Sequence, residues 1–349
     1  MGVRVLWQDQ YAFAYQTTSI GSTIDFATAS GAGVGTSEYA LPLINHPHID
    51  AGLDIIDQRK AIGISQRSVA TGHQEFLQGT KNPNSTWEFD GNAYNLAPFL
   101  WTLFQKGTTE GTGTAKFTKT YDPPTATEGP ECEVWMLLLR KMEEATNAHS
   151  TRGTGFIVKS ITLSADGFSP LRVSVELVGK DVSYVYDAQN AVFTYNTKSF
   201  LVWGGSSGAT CEIDGAAVQL EGFTLTITNN AIARHYGGQD VDKFITSDYT
   251  LEGSISVFWG DSNASQDQET QLVDFVAGTD KRLHIYWGTT GGATTAGDLD
   301  ILANIRYTGA TLADVDTEIV TECPFVGVYD GTYDAIQIVL SDGIDRAIP

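Results

Sequence analysis

Positive charge is what this sequence has least of. Its 349 residues carry 21 Lys and Arg against 42 Asp and Glu, a formal net charge of −21. No basic run exceeds two residues. Tight binding of DNA or RNA needs cations that displace the polyanion's counterions, so a nucleic-acid clamp is not expected. Repulsion from nucleic acid is, and the same charge keeps a free subunit soluble. Charged residues of both signs total only 18%, below the roughly 25% of an average globular chain. The three cysteines, Cys132, Cys211 and Cys323, are odd in number and far apart. They fit reduced core thiols of a cytoplasmic product better than a disulfide scaffold. Long apolar runs are missing too. The longest, 134–139, is strand-sized and far short of the ~18 residues of a membrane helix. The opening MGVRVLWQDQYAFAYQ has no charged start followed by an apolar stretch, so no secretory signal is expected. Leu6 stands where a myristoylation motif carries Ser or Thr.

What is present reads as β structure. Hydrophobic residues reach 42%, enough for a proper core, and Gly numbers 36, suiting strands joined by turns. Residues 133–139 form a continuous apolar run, as in a strand buried on both faces. Residues 156–164 and 171–178 alternate, with Leu171, Val173, Val175 and Leu177 on one side and Arg172, Ser174 and Glu176 on the other. The Asp-Gly-Phe-Ser-Pro turn at 166–170 makes the pair a hairpin. Further strands are expected at 223–227, 251–259, 283–287, 299–307 and 335–340. Two segments have helical spacing. One is 94–104, with Leu96, Leu100, Leu103 and Phe104 on one face and Pro98 in the first turn. The other is 267–276, with Leu272, Val273 and Val276 on one face and acids near its start.

The halves echo each other. Ile49-Asp50-Ala51 is matched by Ile213-Asp214-Gly215, and the run from Gly72 to Phe76 by the run from Gly237 to Val241, displaced by 164 and 165 residues. After the second match each half passes through a polar stretch, a strand, an amphipathic helix and three strands. The order of elements implies a tandem duplication, with similar domains at 1–190 and 191–349 and the boundary at 187–190.

Three stretches carry a family resemblance: 160–164 followed by 171–179, 221–230, and 249–258. Together they resemble the tail tube proteins of long, non-contractile-tailed bacteriophages, which are similar to the tubes of contractile tails and secretion needles. The resemblance implies two tandem domains, each a small β-sandwich or barrel flanked by a short helix. It implies a structural virion protein, made in the host cytoplasm, whose sheets join those of neighbouring copies into a ring. Rings stack into a hollow tube around a tape-measure protein, between tail terminator and tail-tip proteins, and DNA later slides through without sticking. Single-domain members place six subunits in a ring, so a duplicated chain implies three. No enzyme activity, cofactor, metal or membrane contact is implied.

The assembly-contact candidates follow from that reading. Trp7, Tyr11, Phe13 and Tyr15 alternate near the N-terminus and suit an arm docked on a neighbour, an edge strand of the same chain, or a platform for sugars or bases. As an arm, residues 1–19 would be removable with loss of stacking but not of folding. Gly72, His73 and Phe76 lie in a long polar loop at 71–85. Gly237, Gly238, Asp240 and Phe244 lie in its counterpart at 235–248. Both exceed ordinary connections. The competing readings stay weaker. His46-Pro-His48-Ile-Asp50 offers two imidazoles and a carboxylate but no evident fourth ligand. The Gly-rich runs at 204–208 and 288–292 lack the Lys of a phosphate loop. No carboxylate pair is singled out for glycoside hydrolysis. A capsid-decorating or baseplate protein, or a carbohydrate-binding module, is the alternative.

Overall fold

A computed structural model describes residues 8–16, 41, 43–45, 47–57, 76–105, 108–113, 116–121, 123, 132, 135–143, 148–185, 199–204, 208–246, 248–258, 268–288, 297–315, 318–329 and 334–341. The chain is mainly β. Its first half holds β1 (Gln8–Gln16), β2 (Leu53–Asp57), β3 (Phe76–Lys81), β4 (Asn84–Asp90), α1 (Ala93–Phe104), β5 (Thr108–Gly113), β6 (Lys116–Tyr121), β7 (Trp135–Glu143), β8 (Ala148–Asp166), β9 (Arg172–Val178) and β10 (Asp181–Val185). The second holds β11 (Thr210–Ile213), β12 (Ala216–Ala217), β13 (Leu220–Thr228), β14 (Ile232–Arg234), β15 (Lys243–Ile245), β16 (Thr250–Phe258), α2 (Gln268–Ala277), β17 (Asp280–Trp287), β18 (Leu299–Tyr307), β19 (Thr311–Val315), β20 (Glu318–Gly327) and β21 (Ile336–Ser341). The proposed boundary at 187–190 lies outside the described residues.

Alternation of apolar and polar residues sets the strands, because successive side chains point to opposite faces. Val173, Val175 and Leu177 of β9 are buried while Arg172, Ser174 and Glu176 face out. Leu225 and Ile227 of β13, Ile255 and Val257 of β16, and Ile161 and Leu163 of β8 do the same on their strands. Against this apolar face packs α1, every residue of which is buried. Its N-cap Asn92 accepts the Asn95 amide at 2.8 Å, and it ends at Gln105 in the left-handed conformation.

All the pairings between strands are antiparallel. The part of the sheet that faces outward runs in the order β4-β9-β8-β13-β16-β20-β19. One hydrophobic core runs from Tyr11 to Leu340 through both halves, so the halves share an interior. They are joined by β8–β13 and by β6–β21.

Within this sheet the pairings of the first half recur in the second. β1–β7 is repeated by β11–β17, β2–β3 by β14–β15, β4–β9 by β16–β20, and β7–β8 by β17–β18. β8–β10 is repeated by β18–β21. The long β8 has two successors: β18 takes the part of its first stretch and β19, lying on β20, the part of its last. α1 follows β4 as α2 follows β16. The counterpart of β9 is therefore β20, where sequence spacing pointed to the strand at 335–340; that strand, β21, is the counterpart of β10.

Two helical expectations change. Pro98 lies well inside α1 rather than in its first turn, and the helix is enclosed on all sides rather than on one face. In α2 the expected apolar face is turned outward: Val273 and Val276 are 60% and 83% exposed. Phe275 packs against the core, and polar groups share the inner side. Gln271 is buried and accepts the Tyr307 hydroxyl at 2.5 Å, and Asp274 pairs with Lys281 at 2.8 Å.

Candidate assembly surface

Residues of the central sheet that do not face the core make a continuous polar surface, and the strand registers arrange them in rows. One row reads Asp90, Arg172, Ser164, Thr224, Ser254, Pro324. The next reads Glu88, Ser174, Thr162, Thr226, Glu252, Val326. A third holds Asp166, Gly222, Ser256, Glu322 and Thr311. Small hydroxyls dominate the middle, where Thr162 and Thr226 hydrogen-bond at 2.9 Å across the join between halves. A shallow groove of about 410 Å³ lies along the first and third rows, lined by Ser164, Asp166, Arg172, Gly222, Thr224 and Ser256 among others. Carboxylates outnumber cations on this face. Glu88, Asp90, Asp166, Glu176, Glu252 and Glu322 stand against Arg172 and Lys159, which are themselves tied down. Lys159 binds Glu176 at 2.8 Å, and Arg172 lies 3.8 Å from Asp90. The face is polar and acidic, and Arg172, beside the hydroxyls of Ser164 and Thr224 in the groove, is a cation left partly open on it.

The β8–β13 join is built like an interface. The two strands pair from Ser160–Thr228 to Asp166–Gly222. Buried Asn229 donates to the carbonyls of Val158 at 2.6 Å and Leu103 at 3.2 Å. Tyr249 also donates to Leu103 O, at 2.9 Å, and stacks on Phe104 with centroids 5.7 Å apart. Burial pushes the Tyr249 phenol well above its usual range. A separate small cluster of Cys132, Ile157, Val241 and Phe244 closes the top of the join. Lys81 binds Asp240 at 2.8 Å and Asp181 at 3.0 Å, and these bonds raise its pKa. Its amide also donates to Gln239 O at 2.8 Å.

The assembly candidates are distributed as follows. Trp7, Gly72 and His73 lie outside the described residues. Tyr11 and Phe13 are each 2% exposed. They sit on β1, an edge strand paired with β7 of the same chain, with Tyr11 5.8 Å from Trp87 and Phe13 5.1 Å from Phe99 between ring centroids. An arm docked on a neighbour is therefore not the place of these two rings, which pack into the core of their own chain. Tyr15 is on the same strand and Phe76 opens β3. Of the expected loop at 71–85, residues 71–75 lie outside the described residues and 76–81 form β3, paired with β2; the loop at 235–248 is the turn and second strand of the β14–β15 hairpin. Gly237, Gly238 and Asp240 form the exposed tip of that hairpin, which reaches the first half through Asp240 and Lys81. Phe244 is 1% exposed and serves the join inside the chain rather than an outer contact. His48 is exposed and its Nδ1 lies 2.6 Å from Arg140 Nη1. No group of three metal-ligating side chains occurs among the described residues.

A second titratable cluster escaped the sequence reading. His284 Nε2 lies 2.7 Å from Asp300 and Nδ1 3.4 Å from Glu212, and Tyr286 donates to Glu212 at 3.3 Å. Burial disfavours the imidazolium, but Asp300 and then Glu212 outweigh it and hold its pKa above the ordinary value. The Thr210 hydroxyl also hydrogen-bonds Tyr286. These groups lie on neighbouring strands β11, β17 and β18, a relation no local spacing reveals. All three cysteines are buried and free, and burial pushes each thiol up to about 12.

No protein-family model matches the chain, and no curated protein matches it. Among solved structures, a Pseudomonas aeruginosa FadL homologue aligns at 8% identity with a TM-score of 0.09, over 76% of this chain and 63% of its own. A likeness that slight carries no argument about fold or function.

Proposed function

We propose that this chain is a structural tube subunit, the tail tube protein of a long-tailed bacteriophage, and that its polar sheet face lines the channel. The observation that carries the reading is that face itself: an open sheet spanning both halves, apolar toward the core and lined outside with hydroxyls and carboxylates. A conduit for DNA must neither bind phosphate nor present sticky apolar surface, and an acidic wall repels the polyanion. Hydroxyls and carboxylates rather than aromatic rings fill the described rows of the face, with Phe168, 79% exposed, standing at the β8–β9 turn beside them. The recurrence of strand pairings supports a tandem duplication, so three chains would make a ring of six similar halves. Stacked rings would enclose a tape-measure protein, capped by terminator and tip proteins.

Negative-stain electron microscopy of the purified, concentrated protein tests this. Rings or hollow tubes are expected. Single particles that persist when tape-measure protein is added would refute it.

A further inference from the structure

We propose that β19 of one copy pairs with the segment 43–50 of the next, so that the contact between chains repeats the β8–β13 contact within a chain. The inference rests on the tube-subunit reading and names the surfaces that reading needs.

The argument is one of internal equivalence. In the middle of the chain, the last stretch of β8 lies between β9 on one side and β13 on the other. Its counterpart in the second half is β19, which lies on β20 as β8 lies on β9. Among the described residues the other edge of β19 carries no strand. β13 in turn lies on β16. The counterpart of β16 is β4, and what lies along β4 is the segment 43–50. Ile44 N donates to Glu88 O at 2.8 Å, and Asp50 and Asn84 exchange amide bonds at 2.9 and 3.1 Å. Asn45 fills the gap with its side chain, donating to Thr86 O and accepting from Glu88 N. Residues 43–45 and 47–50 thus stand in the place of β13 but irregularly, with Pro47 lacking an amide and its carbonyl accepting the Tyr11 hydroxyl at 3.3 Å, and among the described residues no strand lies on their far side.

Among the described residues the sheet thus ends in two unlike edges on which no strand lies, each equivalent to one partner of a contact already made inside the chain. An open edge is a template for another strand. Because the edges differ, joining one leaves the other free, and the contact repeats head to tail until a ring closes. Aligning the starts of β4 and β16 also sets the register. Ile44 then corresponds to Thr224, and Thr311 to Ser164, which face each other across the internal join. Ile44, at 44% exposure, is one of the large apolar side chains left uncovered, and Thr311 is exposed.

The test is crosslinking of assembled protein with a short bis-maleimide, whose span tolerates a two-residue slip of register. Ile44→Cys/Thr311→Cys should give an interchain ladder ending in closed rings, while the native buried thiols stay silent. Ile44→Cys alone and Thr311→Cys alone should not link, and their mixture should stop at dimers. Ser164→Cys/Thr224→Cys should link within one chain, which confirms the internal template on the same protein. Rings in the microscope without interchain links would overturn the edge assignment and leave the tube reading standing. Absence of rings would overturn both.

Discussion

At the scale of single residues, packing and titration give the sharpest tests. Phe156 sits where β8 bends, and its ring occupies space that only glycines leave. A Cβ on Gly153 or Gly179 would come within 2.4 Å of it. Gly179→Ala should therefore cost about 1–3 kcal/mol through overpacking, read as a lower denaturant midpoint. Trp87 is fully buried and donates to Ser85 at 3.0 Å; Trp87→Ala should cost about 3–5 kcal/mol, read the same way. His284 adds a pH term. Its folded pKa is raised above 6.5, so its contribution is fully present below that value and fades as pH rises through the folded one. The melting temperature should fall between pH 6 and pH 8, and part of that fall should vanish in His284→Gln. An unchanged slope would mean the imidazole is not held charged. None of these sites was legible beforehand. Trp87 against Tyr11, Gly179 against Phe156 and His284 against Asp300 and Glu212 acquire their roles from residues on other strands, which periodicity does not see.

At the scale of elements, the alternating strands were readable and the exceptions have physical causes. β8, β9, β13, β16, β17 and β18 follow their apolar periods. β20 hid behind Pro324, a residue that argues against a central strand. It is tolerated because it lies where β19 has ended and β18 has only begun to pair, and its carbonyl takes the Thr308 amide at 2.8 Å. α2 was misphased because a buried hydrogen bond and ion pair, rather than valines, face the core. β1 matters most. Its alternating aromatics suited an arm, an edge strand or a ligand platform, and spacing alone could not choose. With Tyr11 and Phe13 in the core, Phe13→Ala should destabilise the isolated chain by about 3–5 kcal/mol. Deleting residues 1–19 should cost folding rather than stacking alone. A truncated chain as stable as the parent would return the segment to an arm.

At the scale of the molecule, the low content of cations and the echo between halves were both visible in the sequence. The pairing map gives the shared order of elements a physical form, since the same neighbours recur strand by strand, but it does not keep the match of Ile49-Asp50-Ala51 to Ile213-Asp214-Gly215: Ile213 lies on β11, the counterpart of β1, whereas Asp50 lies along β4. Part of the acidic surplus lies on the polar sheet face, where Glu88, Asp90, Asp166, Glu176, Glu252 and Glu322 stand against Arg172 and Lys159. Placement of that face was not legible, because strand phase relative to a neighbour is set by pairing between distant segments. Reversing the charge there should change behaviour without unfolding the chain. Glu252→Lys with Glu322→Lys, both exposed, should leave stability within ~0.5 kcal/mol yet give assembled tubes that retain DNA at low salt, measured by co-sedimentation. Parent tubes should not.

Cryo-electron microscopy of the assembled protein reads out fold, stoichiometry and orientation together. The expected map is a hollow tube of stacked rings, three chains to a ring, with Thr162, Thr226 and Ser254 facing the lumen. Isolated particles, or a tube whose lumen is lined by another face, would contradict the account.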